Sequence, residues 1–285
     1  MYICFKLQSV LKSGITTLIN PTKSIMKKST ILAFIFAVLS GWVPSLLQAE
    51  TLIAPLWPNA GSTSIITPTG WGASYGIVFF GAGTTTPQVY STRTDADAGA
   101  GFGLGNPEKN LGLELSVEMM DVSKRDNFSY GFKVHRIIAN GTSIGFGGLT
   151  LFRDKKKSDA DESYYFAVSH AVQGLPSEYS PNESRMHLNL GVGNGMFSKM
   201  SPQDIKAGKG KHGTYVFGST AYEIFKATNA IVEWSGVNLN AGLSTGLFSL
   251  GQNLPITVTI GAADLTNYSA DGVRLIVGVS GGILF

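Results

Sequence analysis

The most constraining feature of this sequence is an alternation of apolar and polar side chains that recurs along the chain after residue 50. In 111–120, leucine, valine and methionine occupy every second position, and mostly glycine, glutamate and serine fill the positions between. A period of two places the apolar side chains on one face of a β-strand. Equally clear runs lie at 185–193, 237–244, 256–262 and 273–285, and weaker ones at 72–80, 98–105, 128–137, 143–152, 163–171, 214–225 and 230–235. We therefore predict an all-β chain of about twelve strands.

The links between the predicted strands alternate between short turns and long polar loops. Residues 106–109, 139–142 and 226–229 form short links, and the second contains an Asn-Gly pair that favours a hairpin turn. The links 81–97 and 195–212 are long and polar. Short turns at one end and long loops at the other are typical of membrane-spanning β-barrels.

The chain before the strands divides into two parts. Residues 1–49 have the organisation of a secretory signal peptide: two lysines precede the uncharged apolar run 31–47, and Ala49 is a small residue suited to cleavage. A transmembrane anchor needs about 20 apolar residues, and this run is shorter and contains a proline. The lysines follow Met26 directly, which indicates that residues 1–25 are either an extended leader or a mis-assigned start. We predict an extended lead-in at 50–71 and a single β-barrel domain at 72–285.

Cleavage changes the charge of the chain. The net charge of +3 includes five lysines and no acid within residues 1–49, so the mature chain keeps 17 basic and 19 acidic side chains. The basic surface that nucleic-acid binding needs is lost, and we predict no nucleic-acid partner. The single cysteine, Cys4, is also lost, so the mature chain has no disulfide.

Strands with one apolar face suit either a secreted β-sandwich or a barrel in a membrane. In lipid, every backbone N–H and C=O group must be paired inside the protein, so strands span a membrane only as a closed barrel. The polar faces here are rich in Gly, Ser, Thr and Asn rather than Lys and Glu, as expected of an enclosed lumen. Aromatic side chains cluster near predicted strand ends, as in an interfacial band, at Phe79, Phe80, Tyr164, Tyr165, Trp234 and Phe285. These observations favour the barrel.

The last nine residues carry a family resemblance. Val277, Val279, Ile283 and Phe285 share one face of the last predicted strand, and the chain finishes on an aromatic residue. Together with the signal peptide, this strand resembles the terminal strand of Gram-negative outer-membrane β-barrel proteins. The resemblance implies an outer-membrane location, recognition of these four residues by the barrel-assembly machinery, and contact with outer-membrane lipid and lipopolysaccharide. We predict a single antiparallel transmembrane β-barrel of about twelve strands, preceded by a cleaved signal peptide.

Charged side chains on the polar strand faces are candidates for the lining of the lumen. Glu114 and Glu118 share the polar face of one predicted strand, and the next strand brings Lys133 to the same side, which favours cross-strand ion pairs. Luminal side chains set the selectivity of such barrels. The predicted selectivity residues are Glu114, Glu118, Lys133, His135, His187, Glu233 and Arg274.

We predict that the chain is not an enzyme and holds no metal or cofactor. Outer-membrane phospholipases and lipid A deacylases use Ser and His on the barrel wall, but the adjacent Ser169 and His170 point to opposite faces of a strand. Gly99–Gly105 lacks the following helix of a dinucleotide-binding loop and predicts a strand with a glycine face. The acids Asp95, Asp97, Asp159, Asp161 and Glu162 lack EF-hand spacing and predict solvated outer loops.

The predicted function is a narrow, porin-like passive channel for small polar solutes. About 8 strands leave an interior filled by side chains and about 16–18 leave an open channel. A barrel of intermediate size therefore depends on its luminal side chains and on inward-folded loops, for which 81–97 and 195–212 are long enough. A non-conducting structural or surface-binding barrel is the alternative, and an outer-membrane lipid hydrolase is a further one.

Overall fold

The structure is a computed structural model, and it describes residues 54–87, 95–122, 125–154, 160–249, 255–266 and 272–285. The predicted signal peptide at 1–49 lies outside the described residues, and its cleavage stays a prediction. Within the described residues, no helix has the length and apolar composition to cross a membrane.

Twelve antiparallel strands form one closed barrel, in which each strand pairs with its neighbours in sequence and the last pairs with the first. The strands are β1 (Ile77–Thr86), β2 (Asp95–Gly105), β3 (Gly112–Asp121), β4 (Asp126–Ala139), β5 (Thr142–Leu151), β6 (Ser163–Ala171), β7 (Met186–Gly193), β8 (Val216–Phe225), β9 (Thr228–Trp234), β10 (Leu239–Ser249), β11 (Pro255–Ala263) and β12 (Arg274–Leu284). Between β7 and β8 lie a single 3-10 turn, Gly195–Phe197, and a short helix, α1 (Pro202–Lys206). The predicted all-β fold and twelve-stranded antiparallel barrel are confirmed.

Outward-facing side chains are apolar and exposed, whereas many inward-facing ones are polar and buried. On β7, Leu190 is 63% exposed, and the adjacent Asn189 is 6% exposed. This is the reverse of a soluble protein, in which large apolar side chains are mostly buried. It excludes the β-sandwich, which would bury Leu190 between two sheets. The buried lining of the lumen includes Ser129, Ser143, Ser169, Asn229, Asn240 and Ser244.

The two ends of the barrel differ in the length of their links. β1 begins and β12 finishes at the end that we call the terminal end, where the β4–β5 and β8–β9 turns are also found. The opposite end, which we call the loop end, carries the long β7–β8 link, residues 194–215. The division follows the predicted alternation with two exceptions: the β6–β7 link at the terminal end, 172–185, is long, and the β9–β10 link at the loop end, 235–238, is short.

The largest difference from the predicted strands lies in β1. The alternation predicts a strand at 72–80 and a plugging loop at 81–97, whereas β1 covers Ile77–Thr86 and β2 begins at Asp95. Residues 81–86 read Gly-Ala-Gly-Thr-Thr-Thr, so no large apolar side chain marks their outer face. The predicted loop is therefore wrong at both ends, which form strands. The positions of Asp95 and Asp97 in β2 correct their assignment to a solvated outer loop.

Residues 54–76, which we call the luminal segment, run inside the barrel. Trp57 donates its backbone N–H to the β6–β7 link at the terminal end. Ser64–Thr67 reach Glu233, the next-to-last residue of β9, towards the loop end. The chain then returns to the terminal end, where Tyr75 donates its N–H to the last residue of β2. The stretch predicted as an extended lead-in therefore occupies the lumen, entering and leaving by the same end.

The β7–β8 link also fills part of the lumen. Phe197 from this link is fully buried and stacks on Phe217 of β8, with ring centroids 4.3 Å apart. Tyr165 of β6 lies edge-on to both rings at 6.3 Å. We call β6–β9 the packed side of the barrel. The prediction that Tyr165 belongs to an interfacial aromatic band is wrong, because its position on β6 faces the lumen.

Candidate functional site in the lumen

Three adjoining cavities are lined mainly by the barrel wall at β1–β4 and β12, which we call the cavity side. The luminal segment lines the first two, and the second also contacts Leu149 of β5 and Tyr165 of β6. The volumes of the three cavities are about 410, 310 and 110 Å³. Ser62 and Ile65 line both the first and the second cavity, and Asp97 and Glu118 line both the first and the third. The third also contacts Thr85, near the loop end of β1. The cavities therefore follow one another from the loop end to the middle of the lumen.

Glycine on the inner face of β2 lets other parts of the chain approach the wall. A Cβ atom at Gly101 would lie 2.3 Å from the ring of Phe79, and one at Gly103 would lie 2.3 Å from the carbonyl oxygen of Ser74. Both distances are far below van der Waals contact, so neither position accepts a side chain without a shift of its neighbours. Gly99–Gly105 is thus the glycine face of a strand, as its composition predicts.

Glu114 and Lys133 form an ion pair that also holds the luminal segment. The Lys133 Nζ atom lies 3.4 Å from Glu114 Oε1 and donates to the Trp71 carbonyl oxygen at 2.8 Å. Glu114 Oε2 accepts the Ala73 N–H at 2.9 Å. Both charged side chains face the lumen on neighbouring strands. Each of them contacts the other and also a backbone group of the luminal segment.

His135 lies beside this pair and is 1% exposed. Its Nε2 atom donates to the Ala73 carbonyl oxygen at 3.0 Å, because a carbonyl oxygen can only accept. A Cβ atom at Gly112 would lie 2.3 Å from this nitrogen, so a glycine in the neighbouring strand makes room for the ring. His135 therefore anchors the luminal segment and does not line the cavities.

Asp97 and Glu118 carry the acidic charge of the cavity side. Ser129 donates its hydroxyl to Glu118 Oε2 at 3.3 Å, and Asp97 and Glu118 are close enough to interact. Among the residues that the structure describes, no salt bridge involves either carboxylate. The two acids stand beside the cavities at the loop-end half of the barrel.

The other predicted luminal residues lie apart from the cavities. Arg274 Nε lies 2.5 Å from Asp264 Oδ2, where β11 ends and β12 begins. Glu233 is 1% exposed and accepts hydrogen bonds from the luminal segment. His187 is 2% exposed, and neither of its ring nitrogens has a hydrogen-bond partner within the described ranges. The role of all seven predicted residues in selectivity stays a prediction.

Ser169 and His170 point to opposite faces of β6, as predicted. The Ser169 hydroxyl donates to Asn189 Oδ1 at 2.8 Å inside the lumen. His170 Nδ1 lies 2.8 Å from the Thr142 hydroxyl on the neighbouring strand. Within the part of the chain that the structure describes, no three His, Cys, Asp or Glu side chains are grouped as metal ligands.

The predicted assembly signal lies on the outer face of β12. Val279 and Ile283 are each 42% exposed, and Phe285 is 80% exposed. Val277 shares their face by its register opposite Ile260 of β11. The side chains are therefore available on the outside of the barrel, and their recognition by the assembly machinery stays a prediction.

Sequence reasoning missed the residues of the luminal segment that hold the charged side chains of the wall. Ser64 and Thr67 donate to Glu233, and the backbone of Trp71 and Ala73 meets the Glu114–Lys133 pair. Hydroxyl side chains are frequent in 62–69, which was the available signal. It identifies hydrogen-bond donors but not the acid that they bind.

No family model matches the chain, and no curated protein is similar to it in sequence. Similar solved structures are outer-membrane barrels. Outer membrane phospholipase A from Escherichia coli is 9% identical, with a TM-score of 0.37 over 74% of this chain and 97% of that chain. An active-site mutant of that protein is 10% identical, with a TM-score of 0.39 over 75% of this chain and 91% of that chain. The Salmonella typhi outer membrane phospholipase, a dimer with bound calcium, is 10% identical, with a TM-score of 0.36 over 73% of this chain and 91% of that chain.

These comparisons correct one prediction. The matched barrels are phospholipases by name, so the prediction that excluded an enzyme is wrong. At identities of 9–10% and TM-scores of 0.36–0.39 the likeness assigns no activity to this chain. The closed twelve-stranded barrel, with its apolar outer face and polar lumen, has the fold of the outer-membrane β-barrel proteins.

Proposed function

We propose that this protein is a narrow outer-membrane channel that admits small polar solutes from its loop end and prefers cations. The observation that carries the proposal is the row of adjoining cavities on the cavity side, with Asp97 and Glu118 at its loop-end half. The first cavity is otherwise lined by small polar residues and glycine, and the second also contacts Glu114, Lys133 and Tyr165.

The outer surface supports a position in the lipid of the outer membrane. Leu243, Ile260 and Val232 are each at least half exposed and lie on three neighbouring strands. An apolar surface of this kind is stable in contact with acyl chains and unstable in water. We propose outer-membrane lipid, lipopolysaccharide and the barrel-assembly machinery as partners, on the exposed outer face and the terminal strand.

The charge of the lumen supports a preference for cations. The Glu114–Lys133 pair is neutral as a unit, as is the Asp264–Arg274 pair. Within the described residues, Asp97 and Glu118 have no cationic partner, and carboxylates of this kind along a narrow passage lined by protein attract cations and repel anions. The first of the three luminal cavities, about 410 Å³, has the scale of a small solute with its hydration water.

The test is conductance of the refolded protein in planar lipid bilayers. We expect small cation-selective channels, and we expect Asp97→Asn with Glu118→Gln to lower the cation-to-anion permeability ratio severalfold. Glu108→Gln is the matched control, because Glu108 is an exposed acid in the β2–β3 turn, away from the cavities. Selectivity that does not respond to the double substitution would contradict the proposal.

A non-conducting structural barrel is the second candidate. The luminal segment and the Phe197–Phe217 stack fill the packed side, which favours this alternative. Protein that migrates as a folded barrel on unboiled gels and is electrically silent would support it. Incubation of the same preparation with phospholipid and lipopolysaccharide, followed by analysis of released fatty acids, tests the lipid hydrolase.

A further inference from the structure

One buried carboxylate holds the luminal segment at its deepest point. Glu233 Oε2 accepts the Ser64 hydroxyl at 2.5 Å and the Ile65 N–H at 2.8 Å. The same oxygen accepts the Thr67 N–H at 3.1 Å and the Thr67 hydroxyl at 2.9 Å. The Ile66 N–H lies 3.2 Å from both carboxylate oxygens. A single turn of four residues therefore surrounds one negative charge, and we call Ser64–Thr67 the deep turn.

Hydrogen bonds to a charged acceptor are stronger than those between neutral groups, and backbone N–H groups that converge on an anion form a favourable site for it. The contacts of the two residues before the deep turn are neutral. Ser62 donates its N–H to the Ser244 hydroxyl at 2.9 Å, and the Ser219 hydroxyl donates to the Thr63 carbonyl oxygen at 2.8 Å. Glu233 is thus the strongest single attachment of the deep turn to the wall.

The path of the luminal segment allows it to withdraw. Trp57 and Tyr75 are both attached at the terminal end, so the chain between them is a loop inserted through that end. Such a loop can slide out without passing a chain end through the barrel. The deep turn also lines the second cavity through Ser64 and Thr67, so its withdrawal enlarges the space beside the Glu114–Lys133 pair.

We infer that Glu233 is a latch: its carboxylate keeps the luminal segment in the lumen, and loss of the carboxylate lets the deep turn withdraw and widens the passage. The widening rests on the proposed channel function. The withdrawal does not, and it is measured separately below.

Asn240 explains why even an amide in place of the carboxylate releases the latch. The Asn240 amide nitrogen donates to Glu233 Oε1 at 2.9 Å, and the Asn240 Oδ1 atom accepts the Asp264 N–H at 3.1 Å. Asn240 therefore cannot turn its oxygen towards residue 233 without losing its bond to Asp264. In Glu233→Gln, the NH₂ group of the new amide must face either the Asn240 amide nitrogen or the donors of the deep turn. Two donors then meet, and one of the two hydrogen-bonded contacts is lost.

The first experiment measures the position of the segment by disulfide formation. Ser62→Cys with Ser244→Cys, in a Cys4→Ser background, places two cysteines where the Ser62 N–H and the Ser244 hydroxyl are 2.9 Å apart. After mild oxidation of the folded protein, free thiols are counted in denaturant. We expect nearly complete cross-linking with Glu233 present, and a severalfold lower yield in both Glu233→Gln and Glu233→Ala.

The second experiment measures conductance of the same variants. We expect Glu233→Gln to increase single-channel conductance at least twofold. We expect the oxidised Ser62–Ser244 cross-link to return Glu233→Gln to the wild-type value, and a reducing agent to restore the increase. Added acetate should raise the cross-linking yield of Glu233→Ala, because the small anion replaces the missing carboxylate in the deep turn.

Glu223→Gln is the matched control. Glu223 is 3% exposed on β8, and its Oε1 atom accepts the Ala227 N–H at 3.1 Å, outside the luminal segment. We expect it to leave both cross-linking and conductance unchanged. Migration on unboiled gels shows which variants are folded, and Ser64→Ala with Thr67→Val, which keeps Glu233, replaces any that are not.

The outcomes separate the two proposals. A lower cross-linking yield in electrically silent protein supports the latch and contradicts the channel. An unchanged yield in folded Glu233→Gln and Glu233→Ala overturns the latch, whatever the conductance. An effect of Glu223→Gln as large as that of Glu233→Gln also overturns the latch, because the effect would then follow from the loss of any buried acid and would not be specific to Glu233.

Discussion

The packed side and the cavity side of this barrel differ in the size of the side chains that face the lumen. A barrel of twelve strands has more interior than its wall residues fill when they are small. On the packed side, large rings from β6, β8 and the β7–β8 link meet in the lumen. On the cavity side, β1 and β2 present glycine, and the space that remains is open. In the proposed channel, the packed side therefore carries stability and the cavity side carries the passage.

The largest expected effect tests this division by truncating one ring on each side. We expect Phe217→Ala to lower the free energy of unfolding by about 4 kcal/mol, because it removes a fully buried ring from a stacked cluster and leaves a cavity. Phe79→Ala, beside an existing cavity, should lower it by about 1 kcal/mol. The measurement is urea unfolding of the refolded protein in lipid vesicles. Equal losses would show that the two sides do not differ in energy.

A second prediction concerns the ion pair at the edge of the cavity side. We expect Lys133→Met to lower the free energy of unfolding by about 2–3 kcal/mol, because Glu114 keeps its charge with 20% of its side chain exposed and loses its only cationic partner within the described residues. Adding Glu114→Gln should recover part of the loss, since the amide oxygen still accepts the Ala73 N–H. The same unfolding assay measures both variants. A double variant less stable than Lys133→Met would contradict this account.

The smallest expected effect lies at the terminal end of the packed side. Burial, and then the charge of Glu223, raise the pKa of Glu183 above its ordinary value of 4.5, while Lys226 lowers it. The folded state therefore binds this proton more tightly than the unfolded state. The resulting stability is present below pH 4.5 and is lost as the pH rises through the raised pKa.

Glu183→Gln should remove this part of the pH dependence. The expected result is a slightly flatter curve of unfolding free energy against pH, and the effect is small because the Glu183 side chain is only partly buried and solvent screens its charge. Glu108→Gln is the control, since it changes an exposed acid at the same end of the barrel. Curves of wild type and Glu183→Gln that stay parallel across the acid range would contradict the assignment.

Most of the wall was predictable from the sequence because the lipid face imposes a regular pattern. The strand predicted at 163–171 matches β6 at both ends, and 185–193 differs from β7 by one residue. β1 was misplaced because Gly81–Thr86 has only alanine and threonine on its outer face. The pattern fails where the wall is built from small side chains, and that is also where the lumen is open.

The interior was less predictable because its contacts follow no period. The inward positions of Lys133 and Glu233 follow from alternation alone. Their partners do not, since Glu233 binds residues 166–169 positions away in the chain. Backbone groups supply many of these contacts, and a backbone group leaves no mark in the residue types of a sequence. Asp97 and Glu118 were brought together only by the register of β2 and β3.

The order of the chain has a consequence for how this molecule is assembled. The deep turn and the two residues before it precede all twelve strands, yet the groups that bind them belong to β8, β9 and β10. These residues can therefore reach their final place only after β10 has formed. We therefore expect insertion of the luminal segment to be a late step of folding. Variants that weaken the late strands should accumulate as barrels whose luminal segment has not yet inserted.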